Sequence, residues 1–356
     1  MTSRLRWTVC VTAALALAAP SAAQAAKKTV FMGIPPAAGK AFEKTGSDVN
    51  AFFPSTVRIH AGDTVAFAPV GFHSVDLPAA GGTPLGLVSP TGKKVSASDE
   101  AGIPFWFDTF DELGFDRGLL KPSFGKTLVK GAARITSGLP LGEKLKPMNV
   151  RFPKAGTYTY FCNLHPGMKG TVRVVAKRSP VPSAKVDGLR VKLQTAAALK
   201  VAKRLPAVTK PPANTISVGA GGAGGVELFA FVPDKLTVPA GTTVSFAMSA
   251  KSRDIHTATA GPGNADKATT YIGKLAASFQ GAVFDGRSVY PSELPGTPPA
   301  ALSPALHGNG FWNSGIMDAV AATPLPLSGS VTLSTPGTYR FVCLIHTFMK
   351  ETITVQ

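Results

Sequence analysis

The chain has 356 residues, of which 44% are hydrophobic and 16% charged, with 37 glycines, 30 prolines and a formal net charge of +17. That length suits about two domains. The composition is that of a globular protein, and its Gly/Pro content and low charge favour turn-rich β-structure over a helical bundle.

The first element is a leader. Arg4 and Arg6 precede an apolar stretch over 7–20, and Ala23-Gln24-Ala25 has the small-x-small form of a cleavage site. This predicts a secretory signal peptide over 1–25, cut near Ala25, and an extracytoplasmic mature protein: secreted, periplasmic or bound to the cell wall. The stretch is too short for a membrane span, and no other apolar run of span length follows. Nucleic acid is therefore excluded as a target.

Next come two stretches in which the chain repeats itself. Ala51-Phe-Phe-Pro-Ser-Thr-Val-Arg-Ile-His-Ala-Gly-Asp-Thr-Val-Ala-Phe67 parallels Ala230-Phe-Val-Pro-Asp-Lys-Leu-Thr-Val-Pro-Ala-Gly-Thr-Thr-Val-Ser-Phe246. Each predicts a strand, an Ala-Gly turn and a second strand, with inward positions such as Val57/Ile59 and Val65/Phe67. Later, Gly156-Thr-Tyr-Thr-Tyr-Phe-Cys162 parallels Gly337-Thr-Tyr-Arg-Phe-Val-Cys343, and short strands follow over 171–175 and 351–355. The two cysteines stand 181 residues apart, a spacing that means tandem domains rather than a solenoid. The expected organisation is domain 1 over 26–177, a linker over 178–214 and domain 2 over 215–356. With no βαβ alternation, both domains read as antiparallel β-sandwiches.

The linker is basic and flanked by prolines. Residues 177–210 hold nine Lys or Arg residues against the single acid Asp187. This excess suits an acidic partner or an anionic cell surface, and equally a solvated linker. From Leu189 to Leu205 the segment is free of proline, and Leu189, Leu193, Ala196, Ala197 and Val201 share one face, which predicts a short helix packed on a domain.

The chemistry concentrates after the cysteines. The loops read Cys162-Asn-Leu-His-Pro-Gly-Met168 and Cys343-Leu-Ile-His-Thr-Phe-Met349. An earlier histidine precedes each cysteine by a similar distance: His73 by 89 residues and His256 by 87. Each half thus offers two imidazoles, a thiolate and a thioether in the same order. A soft thiolate with imidazoles suits copper in both oxidation states, and the thioether argues against zinc. One disulfide between Cys162 and Cys343, ordinary for an exported chain with two remaining cysteines, would strand four well-spaced His and Met residues. His60 and His307 have no counterpart in the repeat and read as structural or surface residues, and Met148 and Met317 as core or loop.

In these residues the chain resembles the cupredoxins, the plastocyanin/azurin-like blue copper proteins, and its Cys-x-x-His-x-x-Met loop looks most like that of amicyanin. The resemblance covers the Ala-Gly strand pair, the first histidine and the cysteine loop of both halves. It leaves roughly 77–133 and 258–310 as long insertions. It implies an all-β chain of two Greek-key cupredoxin-like β-sandwiches in tandem. It also implies two copper ions, one held by His73, Cys162, His165 and Met168 and the other by His256, Cys343, His346 and Met349. Cupredoxins often carry Asn after the first histidine to brace the cysteine loop; here Ser74 and Thr257 stand in its place. The insertions bring aromatics (Phe105, Trp106, Phe107, Phe110, Phe115, Phe311, Trp312) that either cap the metal sites or fill space.

The function this implies is electron transfer with a redox partner protein, through the edges of His165 and His346. A copper enzyme of the two-domain nitrite reductase or laccase-like class needs further histidines, often as His-x-His or a His before the cysteine. The chain has no His-x-His, and Phe161 and Val342 precede the cysteines. An extracytoplasmic copper carrier is the remaining alternative, though the chain lacks the Met-rich or His-rich tracts of an open handling site.

Overall fold

A computed structural model describes residues 25–142, 144–319 and 325–356. Apart from Ala25, the expected signal peptide lies outside the described residues. The described chain is mostly β-sheet, as expected. One five-stranded sheet runs, in spatial order, Phe52–Phe53, Lys27–Met32, Thr64–Pro69, Met148–Arg151, Thr127–Val129. A second runs Ile135–Thr136, Asp76–Leu77, Gly156–Phe161, Lys169–Val175, Thr56–His60. Their inward side chains, among them Val57, Ile59, Val65, Phe67, Val150, Tyr160, Val172 and Val174, form one buried cluster. The predicted alternation places all four named inward positions correctly.

The other half repeats this plan. A six-stranded sheet contains Thr215–Gly221, Val226–Val232, Thr242–Met248 and Ser328–Leu333, and a five-stranded sheet contains Lys235–Val238, Lys350–Val355, Gly337–Val342, Thr259–Ala260 and Trp312–Asn313. Val244, Phe246, Phe341, Ile353 and Val355 are among the side chains buried between them.

The pairing is mixed rather than antiparallel. Lys27–Met32 runs parallel to Thr64–Pro69, and Lys169–Val175 parallel to Thr56–His60, with equivalent parallel pairs in the second half. The cause lies at the Ala-Gly turn. The strands on either side of Ala61-Gly62 belong to different sheets, so this turn is a corner across the core and not a hairpin, and each strand finds a distant partner.

The halves are interlocked. Strand Ser47–Val49, from the first half, pairs antiparallel with Val226–Val232 and so extends a sheet of the second. The two insertions meet as well. Strand Asp111–Phe115 exchanges backbone hydrogen bonds with the second insertion, from Phe115 N–H to Ala282 O (3.0 Å) and from Phe284 N–H to Leu113 O (2.9 Å). Phe105, Phe107, Ile272, Leu275 and Phe311 share one apolar cluster. Most insertion aromatics therefore pack the two halves together.

The linker forms a 25-residue helix, Ala184–Val208, longer than expected because Ser183 caps it by accepting from Val186 N–H and because it runs through Pro206 in its last turn. Its buried face matches the expected one only at Val201, which packs against the cluster between the halves. Leu189 and Leu193 are 55% and 63% exposed, whereas Ala198, Ala202 and Leu205 are buried. The small alanines let the helix lie close against Phe42, Val49 and Phe53 of the first half and Ala220, Val226 and Leu228 of the second. Lys28 Nζ anchors its start on Asp187 at 2.6 Å. Lys185, Arg190, Lys192, Lys200, Lys203 and Arg204 lie exposed.

His60 and His307 are structural, as read. His60 Nε2 meets the Ser179 carbonyl at 2.8 Å. His307 clasps the insertions, with Nδ1 3.3 Å from Asp99 Oδ2 and Nε2 2.8 Å from Glu293 Oε1. Met148 and Met317 are core residues. Burial works against a charged His307 ring, but Glu293 and Asp99 outweigh it and raise its pKa above the ordinary value of 6.5. The clasp is therefore fully effective below about pH 6.5 and is lost as pH rises through the raised folded value. The stability difference between wild type and His307→Gln in the metal-free protein, measured by urea denaturation, is expected to be largest near pH 6 and to shrink steadily at alkaline pH.

Candidate metal centres

Each cysteine sits just past the end of a long strand, Cys162 after Gly156–Phe161 and Cys343 after Gly337–Val342. The loop that follows closes on itself in both halves. Cys162 N–H donates to Met168 O (3.0 Å) and Met168 N–H to His165 O (3.0 Å), while Cys343 N–H donates to Met349 O (3.2 Å) and Met349 N–H to His346 O (2.8 Å). The first histidine arrives from a neighbouring segment. The pairings Phe161↔Asp76 and Thr259↔Val342 hold the stretches after His73 and His256 against the cysteine strands.

The result is two matching clusters. Ligand atoms of His73, Cys162 and His165 all lie within 4.8 Å of one another, as do those of His256, Cys343 and His346. The Nδ1 atoms of His73 and His165 are 3.0 Å apart, and those of His256 and His346 are 3.1 Å apart. Cys162 Sγ lies 3.5 Å from His165 Nδ1, and Cys343 Sγ lies 3.9 and 3.8 Å from the Nδ1 atoms of His256 and His346. Met168 and Met349 are buried in the same clusters as their cysteines. Both cysteines are free and buried, each in its own half, and form no disulfide.

These spacings fit a metal ion. Bonds of about 2.0–2.3 Å from nitrogen and sulfur donors to a common ion, at angles between about 95° and 120°, place the donors roughly 3.0–4.0 Å apart. The electrostatics agree. Burial raises the Cys162 thiol, but the neighbouring His165 and His73 outweigh it and hold the thiol well below its ordinary range, and His256 and His346 do the same for Cys343. Burial lowers His165, yet Cys162 and Asp254 push it up to about 10; burial lowers His256, yet Cys343 and Glu227 push it up to about 10. Each centre thus favours a thiolate beside its imidazoles, the charge state in which a metal cation binds.

The residue after each first histidine braces the site. Ser74 N–H and Thr257 N–H each point at the cysteine sulfur, at 3.4 Å in both halves. Ser74 Oγ accepts from Asn163 N–H at 2.8 Å, and Thr257 Oγ1 from Leu344 N–H at 2.8 Å. The hydroxyls supply the bracing expected of asparagine.

Several supporting residues carry no motif. A Cβ on Gly33 would sit 2.7 Å from the His73 ring and one on Gly219 2.5 Å from His256 Nε2, and both glycines have positive φ (107° and 72°). They are cut-outs for the first histidines, and only the close approach in space identifies them. Glu227 Oε1 lies 3.8 Å from His256 Nε2, and Asp254 lies beside both His165 and His346.

The loop histidines are largely withdrawn from solvent, His165 more than His346. His165 is 8% exposed. Both His165 and His346 line a cavity of about 370 Å³ between the halves, with Asp254, Asp48 and mostly apolar walls that include Leu164, Phe229, Ile345 and the insertion residues Phe115 and Phe284. Phe72, Leu141 and Phe348, at 47%, 52% and 67% exposed, line the same cavity.

Removing a brace has a defined cost. Ser74→Ala leaves the buried Asn163 amide without its acceptor and is expected to cost about 1–2 kcal/mol of stability in urea denaturation, as is Thr257→Val for Leu344.

No protein-family model matches the chain, and no curated protein matches it. Among solved structures, it is similar to the oxidised form of plastocyanin from Dryopteris crassirhizoma, with 24% identity and a TM-score of 0.21 over 40% of this chain and 99% of that one. It is also similar to a mutant amicyanin in its Cu(I) state (13% identity, TM-score 0.21, 43% of this chain and 90% of that one). A third similarity is to a purple cupredoxin from Nitrosopumilus maritimus, with 15% identity and a TM-score of 0.20 over 40% of this chain and 98% of that one.

Proposed function

We propose that the protein is an exported electron carrier of the cupredoxin kind with two type 1 copper sites, one in each of two tandem domains. The ligands are His73, Cys162, His165 and Met168 in the first site and His256, Cys343, His346 and Met349 in the second. The observation that carries this reading is the duplicated convergence of one buried Sγ and two Nδ1 atoms within 4.8 Å. Two histidines, a thiolate and a buried thioether form a donor set that favours copper over zinc. When bound, copper supplies one-electron exchange.

The chain's own residues do the rest. The strand ends and closed loops hold the donors together. Ser74 and Thr257 direct N–H groups at the sulfurs. The apolar walls of the cavity limit the contact of bulk water with the edges of His165 and His346. Exchange with a redox partner protein then runs through this cavity rather than through a bare histidine edge. The exposed basic residues of the helix Ala184–Val208 suit a partner with an acidic face, or association with an anionic cell surface. Among the described residues no helix is long and apolar enough to cross a membrane. Electron transfer, rather than copper enzymology, suits a chain whose two other mature histidines, His60 and His307, are engaged in structural contacts.

Copper loading tests the reading. Wild type is expected to take up two copper ions and to show an intense thiolate-to-copper absorption band. Cys162→Ser and Cys343→Ser should each remove one ion and its share of the band. A colourless wild type, or a single substitution that abolishes both sites, overturns it.

A further inference from the structure

Asp254 occupies the seam between the two clusters. Its Oδ2 lies 3.6 Å from Nε2 of His165, and its Oδ1 lies 4.0 Å from Nε2 of His346. The side chain is 5% exposed, and Oδ2 has no hydrogen-bond partner among the described residues. The N–H of Ile255 donates to Oδ1 at 2.8 Å and fixes the carboxylate in place.

The donor and acceptor inventory suits this placement. A neutral imidazole that turns its Nδ1 lone pair toward the cysteine carries its remaining proton on Nε2, where it is a donor. A carboxylate only accepts, and it offers two oxygens. Two Nε2–H groups thus flank one two-oxygen acceptor.

The duplication makes the arrangement one-sided. The residue two before the first histidine is Asp254 in the second half and Gly71 in the first. One half supplies the carboxylate that both loop histidines face. Glu227 differs, because it faces only His256, at 3.8 Å, and is held by Ser252 Oγ (2.7 Å) and Arg253 N–H (3.1 Å).

We propose that Asp254 is a positioning residue shared by both metal centres, acting through Nε2 of His165 and of His346, so that the electron affinity of the site in each half depends on the same side chain. The inference rests on the copper reading above. A carboxylate on the outer nitrogen of a ligating imidazole orients the ring and raises its basicity, which favours the more oxidised and more positive metal ion. The same residue ties the relative placement of the halves to the metal sites, since it reaches His165 only while the interface is closed.

Single-site proteins give the test. Cys343→Ser keeps only the first site and Cys162→Ser only the second. Asp254→Asn is added to each, and copper content, the thiolate-to-copper band, Cu(II) affinity and reduction potential are measured. In both backgrounds the neutral side chain is expected to raise the potential and to weaken Cu(II) binding by roughly tenfold or more. Asp254→Glu, which keeps the charge, should hold both potentials near those of the parent proteins. Glu227→Gln should move the second site alone. If Asp254→Asn moves only one site, or neither, the sharing is wrong although the copper sites stand. If the parent proteins take up no copper, both readings fall. A merely structural role would lower stability in Asp254→Asn while leaving both potentials in place, and that result also overturns the proposal.

Discussion

The structure depends on burying two cysteines against imidazoles. Cys162 and Cys343 are shielded from water, their histidine neighbours hold both thiols well below the ordinary range, and an anion in an apolar interior persists only with opposite charge or hydrogen-bond donors in contact. The partners lie far off in sequence. His73 and His256 must be carried across 89 and 87 residues to reach their cysteines. The sheets carry them. Two single-residue pairings, Phe161↔Asp76 and Thr259↔Val342, tie the histidine segments to the cysteine strands, and Ser74 and Thr257 lock the loops from the other side. The cut-outs at Gly33 and Gly219 follow from the same demand, because an imidazole pressed against backbone leaves no room for a Cβ.

A second constraint comes from the interface between the halves. Strand Ser47–Val49 joins the other half's sheet, the insertions pair backbone to backbone, and the helix Ala184–Val208 packs on both. The contact covers the outer edges of the loop histidines. A single domain would leave those edges open to solvent. Here they face a cavity, and Asp254 lies between them. The insertions that interrupt the repeat thus serve the sites indirectly, since their aromatics build the wall that encloses them.

Much of the site was legible in the linear chain. The two loops share an order of donors whose chemistry is specific, and all six His and Cys residues named from it converge, with both methionines buried beside them. The strands were legible too, because period-two alternation survives wherever one face is buried, as at Val57, Ile59, Val65 and Phe67. The helix was found but its face was misassigned except at Val201. Leu189 and Leu193 look like core residues by hydropathy, yet close approach selected Ala198 and Ala202, and steric fit leaves no periodic signal.

The sequence by itself determined the local facts: which residues can ligate, which strands alternate, and that the plan occurs twice. Only the tertiary structure decided how the two halves meet. That outcome rests on contacts between segments far apart in the chain, each carried by an ordinary residue: an aspartate where the repeat has glycine, a glycine against a ring, an alanine at a crossing. Donor chemistry is written in residue type and spacing, whereas the meaning of Asp254 lies in its distance from His165 and His346, and distance across an interface has no counterpart in linear order.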